Sequence, residues 1–226
     1  MIALLPAWAG PVAHYMAHQG VKETLRIAAF AVAGSAVVGI FLGTLMTIRF
    51  PPLRALLRLY VEIWRGLPIV VTIFIVFYAL PSAPLIHHRF AAFTGAAIGL
   101  TLWGSAQVAE ATRGAVQSIP REQHEAAAAL GFGWIGRHVS VILPQALRRL
   151  LPPLVGLLAN VIQNTTIASL IGVTEILSTA QRSTERLAYS TGDSHALALY
   201  VAVAAAFFAI SFPLTRLAIF LEKRLV

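Results

Sequence analysis

The chain has 226 residues, of which 58% are apolar and only 12% charged, and its mean hydropathy is +0.78. Soluble domains carry about 25% charged and 45–50% apolar residues, so this chain cannot cover its own surface in water. A soluble enzyme, a secreted domain and a disordered chain are excluded, and the absence of cysteine excludes disulfides and thiolate metal ligands.

From the N-terminus, Met1–Gln19 has no positive charge, and Pro6 and Pro11 interrupt its apolar stretch. It does not read as a cleaved signal peptide. Residues 1–21 are expected to form an external arm lying in the membrane interface through Trp8 and Tyr15. Five uncharged runs follow: Ile27–Ile48, Gly66–His88, Phe90–Ala109, Leu150–Thr174 and Ser194–Thr215. Each meets the ~20 residues a helix needs to cross a ~30 Å hydrocarbon layer. The expected fold is therefore all-α, a polytopic membrane protein of five transmembrane helices.

The first run carries Ser35, Gly39 and Gly43 on one helix face, with Gly34 beside them. Small residues four apart let a second helix approach closely in lipid. After Pro51-Pro52, the segment LRALLRLYVEIWRG places Arg54, Arg58, Glu62 and Arg65 on one polar stripe of an amphipathic helix, suited to the membrane surface. Leu80–Pro84 reads as a rigid turn. His87 and His88 are adjacent, hence on different faces, and no metal site is expected there. In the third run Gln107 and Glu110 are three apart and Arg113 follows, so Glu110 is expected to pair locally with Arg113.

The longest stretch between runs is Arg113–Arg149. Pro120 suits a helix start, Glu122 and Glu125 complement the positive helix end, and Gly131 is a left-handed cap. A second short helix is expected over Trp134–Ile142, with Pro144 marking the next break. Leu130, Phe132 and Trp134 would be a liability in a lone loop; they fit a plug for a partner's groove. In the fourth run Asn160, Gln163 and Asn164 lie at i, i+3 and i+4 with Thr165, Thr166 and Ser169 beside them. Such amides either bridge helices or line an aqueous path.

The net charge of +8 is a matter of topology. Arg49, Arg54, Arg58, Arg65, Arg113, Arg121, Arg137, Arg148, Arg149, Arg216, Lys223 and Arg224 fall on one side of the membrane; Lys22, Arg26, Arg89, Arg182 and Arg186 fall on the other. The richer set belongs in the cytoplasm, which puts the N-terminus outside and the C-terminus inside. The counter-charge is acidic lipid. No basic stripe is interleaved with aromatics, so nucleic acid is not an expected partner. No phosphate loop, metal-ligand spacing or nucleophile elbow occurs. No catalytic residue, no metal and no bound cofactor are expected on this chain, and it does not read as an enzyme.

The segment Glu125–Leu154, with Glu125-Ala126-Ala127, Gly131 and Ile142-x-Pro144, resembles the EAA signature of the permease subunits of ABC importers. Arg113-Gly114-Ala115, Ser118-Ile119-Pro120 and the Glu-x-x-Arg-Gly-x-Pro core within Tyr60–Pro81 resemble the polar amino acid subfamily. The resemblance runs from about Lys22 to the C-terminus. It implies the type I importer permease fold over 22–226, with a cytoplasmic coupling loop at about 114–143. It also implies Glu125, Ala126, Ala127, Leu130, Gly131 and Pro144 as coupling residues. Asn160, Gln163, Asn164, Thr165 and Gln107 are candidates for the substrate pathway. The implied partners are two ATPase subunits that hold ATP and Mg, a second permease subunit, an external binding protein and an amino acid substrate. The implied location is the bacterial inner membrane. One departure stands out: where members that handle polar amino acids often show Lys-Asp or Lys-Asn before Thr-Ser-Leu, this chain has Gln163-Asn164-Thr165-Thr166. A secondary carrier or channel would transport without an ATPase, and a membrane enzyme would need a catalytic cluster that the sequence does not offer.

Overall fold

The computed structural model describes residues 6–48, 50–83 and 89–225; Arg49, Pro84, His87 and His88 lie outside them. No strand occurs among the described residues. The helices are α1 (Ala9–Leu45), α2 (Pro51–Gly66), α3 (Ile69–Ser82), α4 (Ala92–Gln117), α5 (Arg121–Ala129), α6 (Trp134–Ile171), α7 (Ile176–Thr191) and α8 (Ala196–Leu225).

By length and apolarity α1, α6 and α8 can each cross a membrane. Helices α2 and α3 pass only as a pair, bent by 109°. Proline sets that bend: Leu67 precedes Pro68 and is extended (φ −81°, ψ 139°), as the residue before proline prefers. Helix α3 alone rises about 21 Å, less than the ~30 Å hydrocarbon layer. Helix α4 rises about 39 Å, but Gly, Ser, Thr and Gln dilute its apolar character. Helix α1 runs without interruption from Ala9 through a π-type turn at Met16–Val21 into Lys22–Leu45.

The segment leading into the fourth run departs from expectation at Pro144. No break occurs there: Trp134–Ile171 is one helix of 38 residues. A π-type stretch, His138–Ile142, ends one residue short of the proline, with Leu143 between them. The wider turn makes room for the proline ring, which in a regular α-helix would strike the carbonyl four residues back. Downstream the helix tightens to 3-10 geometry at Asn164–Ile171. It ends at Gly172 (φ +90°), whose neighbours close a left-handed cap: Gly172 N–H donates to Ser169 O and Val173 N–H to Ala168 O.

Contacts divide the chain into two compact units. The first comprises residues 1–31, 69–100 and 161–212. Its core joins Met16, Ile176, Ala180, Leu187, Leu199 and Val203. Gly20 lets α1 meet α7, since a Cβ there would lie 2.5 Å from Thr179 Oγ1 and 2.8 Å from Ile176 Cα. The Ile176 N–H donates to Thr24 Oγ1 at 3.1 Å. Glu175, fully buried, caps α7 by accepting from the backbone N–H of Leu177 and Ser178 at 2.8 and 2.7 Å. Burial pushes its carboxyl up to about 7, against the pull of those two N–H groups.

The second unit comprises residues 32–68, 101–160 and 213–226. Its seam is the small-residue face of α1 against α4. A Cβ on Gly39 would stand 2.5 Å from Val108 Cβ and 2.8 Å from the Ser105 carbonyl; one on Gly43 would meet Ala109 O and Thr112 Cβ. Gly34 stands equally close to Thr101. The face at 35, 39 and 43 thus packs within the chain. On α6, Ile142, Ala146, Leu150 and Leu154 form a buried stripe with a spacing of four, packed with Val108, Val116 and Ile119 of the α4 region.

Candidate functional site

The loop between α4 and α6 lies in the second unit and is built on α5. Pro120, expected at the first helical position, is instead the N-cap, so α5 starts one residue later, at Arg121, and Glu122 occupies the first turn. At the other end Gly131 N–H donates to Ala128 O and Phe132 N–H to Ala127 O. That pattern is a Schellman cap, and it needs the positive φ of +82° found at Gly131. The chain then turns into α6 at Gly133.

Along α5, Glu125 and Ala126 are exposed, whereas Ala127 is buried. Glu125 accepts from Arg121 at 2.7 Å on an open surface. Leu130 is 78% exposed and Phe132 40%, as a docking surface requires. Trp134 differs: it is half-buried and stacks on His138 with ring centroids 4.0 Å apart. Its place on the outer surface is taken by Ile135 and Val139, 71% and 62% exposed. Their spacing of four marks one helix face, a signal present within the expected Trp134–Ile142 helix but overlooked beside the larger Trp134. Pro144 lies inside α6.

The loop is fastened to the rest of its unit. Arg149 Nη1 donates to the carbonyl of Ser118, Gln145 Nε2 donates to Gln123 Oε1 at 3.2 Å, and Thr47 Oγ1 lies 3.3 Å from His138 Nε2. His124 on α5 is held below the ordinary histidine range by burial and by the charge of Arg137.

Gln107 and the α2 stripe come together. Arg65 Nε donates to Gln107 Oε1 at 3.2 Å, and Tyr60 and Ser105 hydroxyls meet at 2.7 Å. Glu110 receives Arg113 through two bonds of 2.9 and 2.6 Å, the expected local pair. Arg58, Glu62, Arg65, Glu110 and Arg113 line one small cavity, so the stripe does more than anchor α2 to a surface.

The remaining pathway candidates occupy α6. Asn160 and Gln163 are exposed and Asn164 is half-buried where the 3-10 segment begins. Gln163 Nε2 donates to Ser211 Oγ of α8 at 3.2 Å, within the first unit. Thr165 is fully buried and its hydroxyl returns to the Ile162 carbonyl.

Residues 35–226 match the family model of the binding-protein-dependent transport system inner membrane component. Among similar proteins, the glutamine transport system permease protein GlnP of Escherichia coli is 35% identical over 207 residues, covering 92% of this chain and 91% of that one. The probable glutamine ABC transporter permease protein GlnM of Bacillus subtilis is 31% identical over 206 residues, covering 91% of each. The crystal structure of an amino acid ABC transporter with histidines shares the fold, with TM-score 0.79 and 24% identity over 98% of this chain and all of that one. The inward-facing MetNI methionine ABC transporter gives TM-score 0.66 at 19% identity, covering 89% and 94%.

Proposed function

Because the chain belongs to the family of binding-protein-dependent transport system inner membrane components, we propose that it is the permease subunit of an ATP-driven importer that carries amino acids into the cytoplasm. The observation that carries the reading is the α5 loop, a Schellman-capped helix followed by exposed Leu130, Phe132 and Ile135. Apolar side chains held in fixed positions on a charge-poor surface demand a partner, and the partner of this family's loop is an ATPase. Glu125, Ala126, Leu130 and Gly131 form the coupling surface, with Ala127 packing the helix from behind.

The other assignments follow from the same premise. The chain is a multi-pass inner membrane protein with its N-terminus outside and the α5 loop and C-terminus in the cytoplasm. Five crossings result if α2–α3 counts as one and α4 as another. A second permease subunit completes the passage and an external binding protein delivers substrate. ATP and Mg stay on the ATPase. Within the passage, Asn160 is the strongest candidate to meet substrate, since it is exposed, whereas the side chain of Gln163 bonds to α8. Neutral amides can bond the charged backbone groups that all amino acids share without the cost of a fixed charge at that depth.

The deciding experiment reconstitutes the chain with its ATPase and binding protein in proteoliposomes and measures amino acid uptake with and without internal ATP. Uptake that needs ATP supports the reading. Equal uptake without ATPase or ATP identifies a secondary carrier or channel instead.

A further inference from the structure

Within the second unit, α2, the end of α4, α5 and the start of α6 enclose a cavity of about 630 Å³, within the range of roughly 300–1,000 Å³ typical of small-molecule sites. Five arginines line it against one carboxylate, Glu125. Two of them are compensated, Arg121 by Glu125 and Arg113 by Glu110. Arg54, Arg58 and Arg137 form no salt bridge with any described carboxylate, although Arg54 Nη2 donates to the Ile48 carbonyl at 3.0 Å and Arg58 also borders Glu62 and Glu110 in the smaller cavity. The Nε groups of Arg54 and Arg137 are buried and have no hydrogen-bond partner, which is rare in a settled interior. The cavity borders the coupling surface, with which it shares Glu125, but the exposed apolar side chains of Leu130 and Ile135 are absent from its lining.

We propose that this cavity binds a phosphate-bearing anion on the cytoplasmic side of the chain, supplied either by the headgroup of an acidic phospholipid or by a free phosphorylated solute. A guanidinium presents a planar fork of donors that fits phosphate oxygens in pairs. Three guanidiniums without a salt-bridge partner, two of them with an unpartnered Nε, suit an anion with several acceptor oxygens. Arg54 and Arg58 come from α2, and Arg137 from the first turn of α6, more than seventy residues apart in the chain. An anion held by all three would tie the coupling loop to α2 and stiffen it. The site therefore sets how freely the loop moves with its ATPase, whatever amino acid is carried.

The native chain has no cysteine, so Ala128→Cys, which lines the cavity, can be alkylated selectively, with exposed Ser140→Cys outside the lining as the reference. The full chain is placed in nanodiscs of phosphatidylcholine alone, in chloride buffer, and its alkylation rate is followed as inorganic phosphate is added. A parallel arm uses nanodiscs containing phosphatidylglycerol with no added phosphate. Slowing of at least fivefold at residue 128 but not at 140 is expected in one arm, and the arm in which it occurs names the source. Arg54→Gln and Arg137→Gln should each abolish the protection while leaving the anion-free rate unchanged, and exposed Arg58→Gln serves if either variant fails to insert. The proposal is overturned by equal rates in every condition, by protection that survives the arginine substitutions, or by protection that appears only when the ATPase is bound.

Discussion

The α1–α4 seam offers a sharp test of how this chain holds together in lipid. Replacing Gly39 by Ala adds one methyl group, whose ideal position lies 2.5 Å from Val108 Cβ and 2.8 Å from the Ser105 carbonyl oxygen. Carbon atoms in contact settle at about 3.5–4.0 Å, so the two helices must separate by roughly 1 Å. Neither obstacle yields easily: one is a β-branched side chain that is fully buried, the other is backbone. Overpacking of this kind costs about 1–3 kcal/mol. In lipid, separation also forfeits the close packing that replaces the hydrophobic effect as the cause of helix association. Gly114→Ala is the control. It too lies in a long helix, but nothing stands within 4 Å of its Cβ, so it should gain about 0.5–1 kcal/mol from lower backbone entropy. Thermal unfolding of the purified chain in one detergent should therefore show a lower midpoint for Gly39→Ala and a slightly higher one for Gly114→Ala. Equal midpoints for Gly39→Ala and the native chain would refute the seam.

Four further outcomes are expected. Gly131→Asp forces a side chain into a φ of +82° at about 1–2 kcal/mol; the variant should insert normally but lose ATPase association, and native transport by it would remove the loop from coupling. Cysteines at Ser82 and Ser190 should react with an impermeant thiol reagent on sealed cells, and one at Ser140 should not; labelling at 140 inverts the topology. Asn160→Leu should cut uptake per assembled complex about tenfold, because a hydrogen bond to a charged group contributes roughly 1.5–3 kcal/mol, whereas Gln163→Leu should lower complex yield instead. Glu175 has a carboxyl raised to about 7, so its neutral form stabilises the fold; that stability is complete below about pH 4.5 and falls as pH rises to 7, by about 3 kcal/mol. Glu175→Gln, read by thermal unfolding from pH 5 to 8, should flatten that decline, and an unchanged slope would assign the dependence elsewhere.

What the sequence made legible was periodic or local. The small residues at 35, 39 and 43 share a face because a helix repeats every 3.6 residues, and the structure brings that face against Val108 and Ala109. Gly131 was legible because a helix that must turn sharply needs a left-handed residue, and the Glu110–Arg113 pair because residues three apart face each other. The features that escaped depend on distance or on compensation. Pro144 read as a break, yet a π-type turn just before it absorbs the clash, and no residue type announces such a turn. Trp134 read as exposed, although the helix expected over Trp134–Ile142 already makes His138 its i+4 neighbour; the stacking of the two rings is what the apolar character of Trp134 alone did not show. Glu175 gave no sign of burial, since the segment it opens is met by a distant one: the next residue, Ile176, donates to Thr24 of α1, 152 residues earlier. Arg54 and Arg137 read as topology markers, and only folding shows that they share a cavity.

The continuity of α6 has a mechanical consequence within the second unit. From Trp134 to Asn160 the helix spans about 40 Å, from the loop that carries Ile135 to the exposed amide of Asn160. Had Pro144 been a hinge, the loop could have swung while the rest of the helix stayed in place. Instead, the stripe of Ile142, Ala146, Leu150 and Leu154 continues along the same helix past the proline, with Arg149 bonded to the Ser118 carbonyl. Force applied at the loop is then carried at least as far as Pro152 and Pro153, the prolines inside the helix where a bend has a cause, and the close-packed stripe moves between discrete arrangements and does not deform gradually. The residues facing the stripe are branched as well as small: Val108, Val116 and Ile119 stand beside Ala111 and Ala115, so the two surfaces interlock. Moving the helix along α4 means unseating those branched side chains together, which favours two discrete settings of the loop end over a continuous slide.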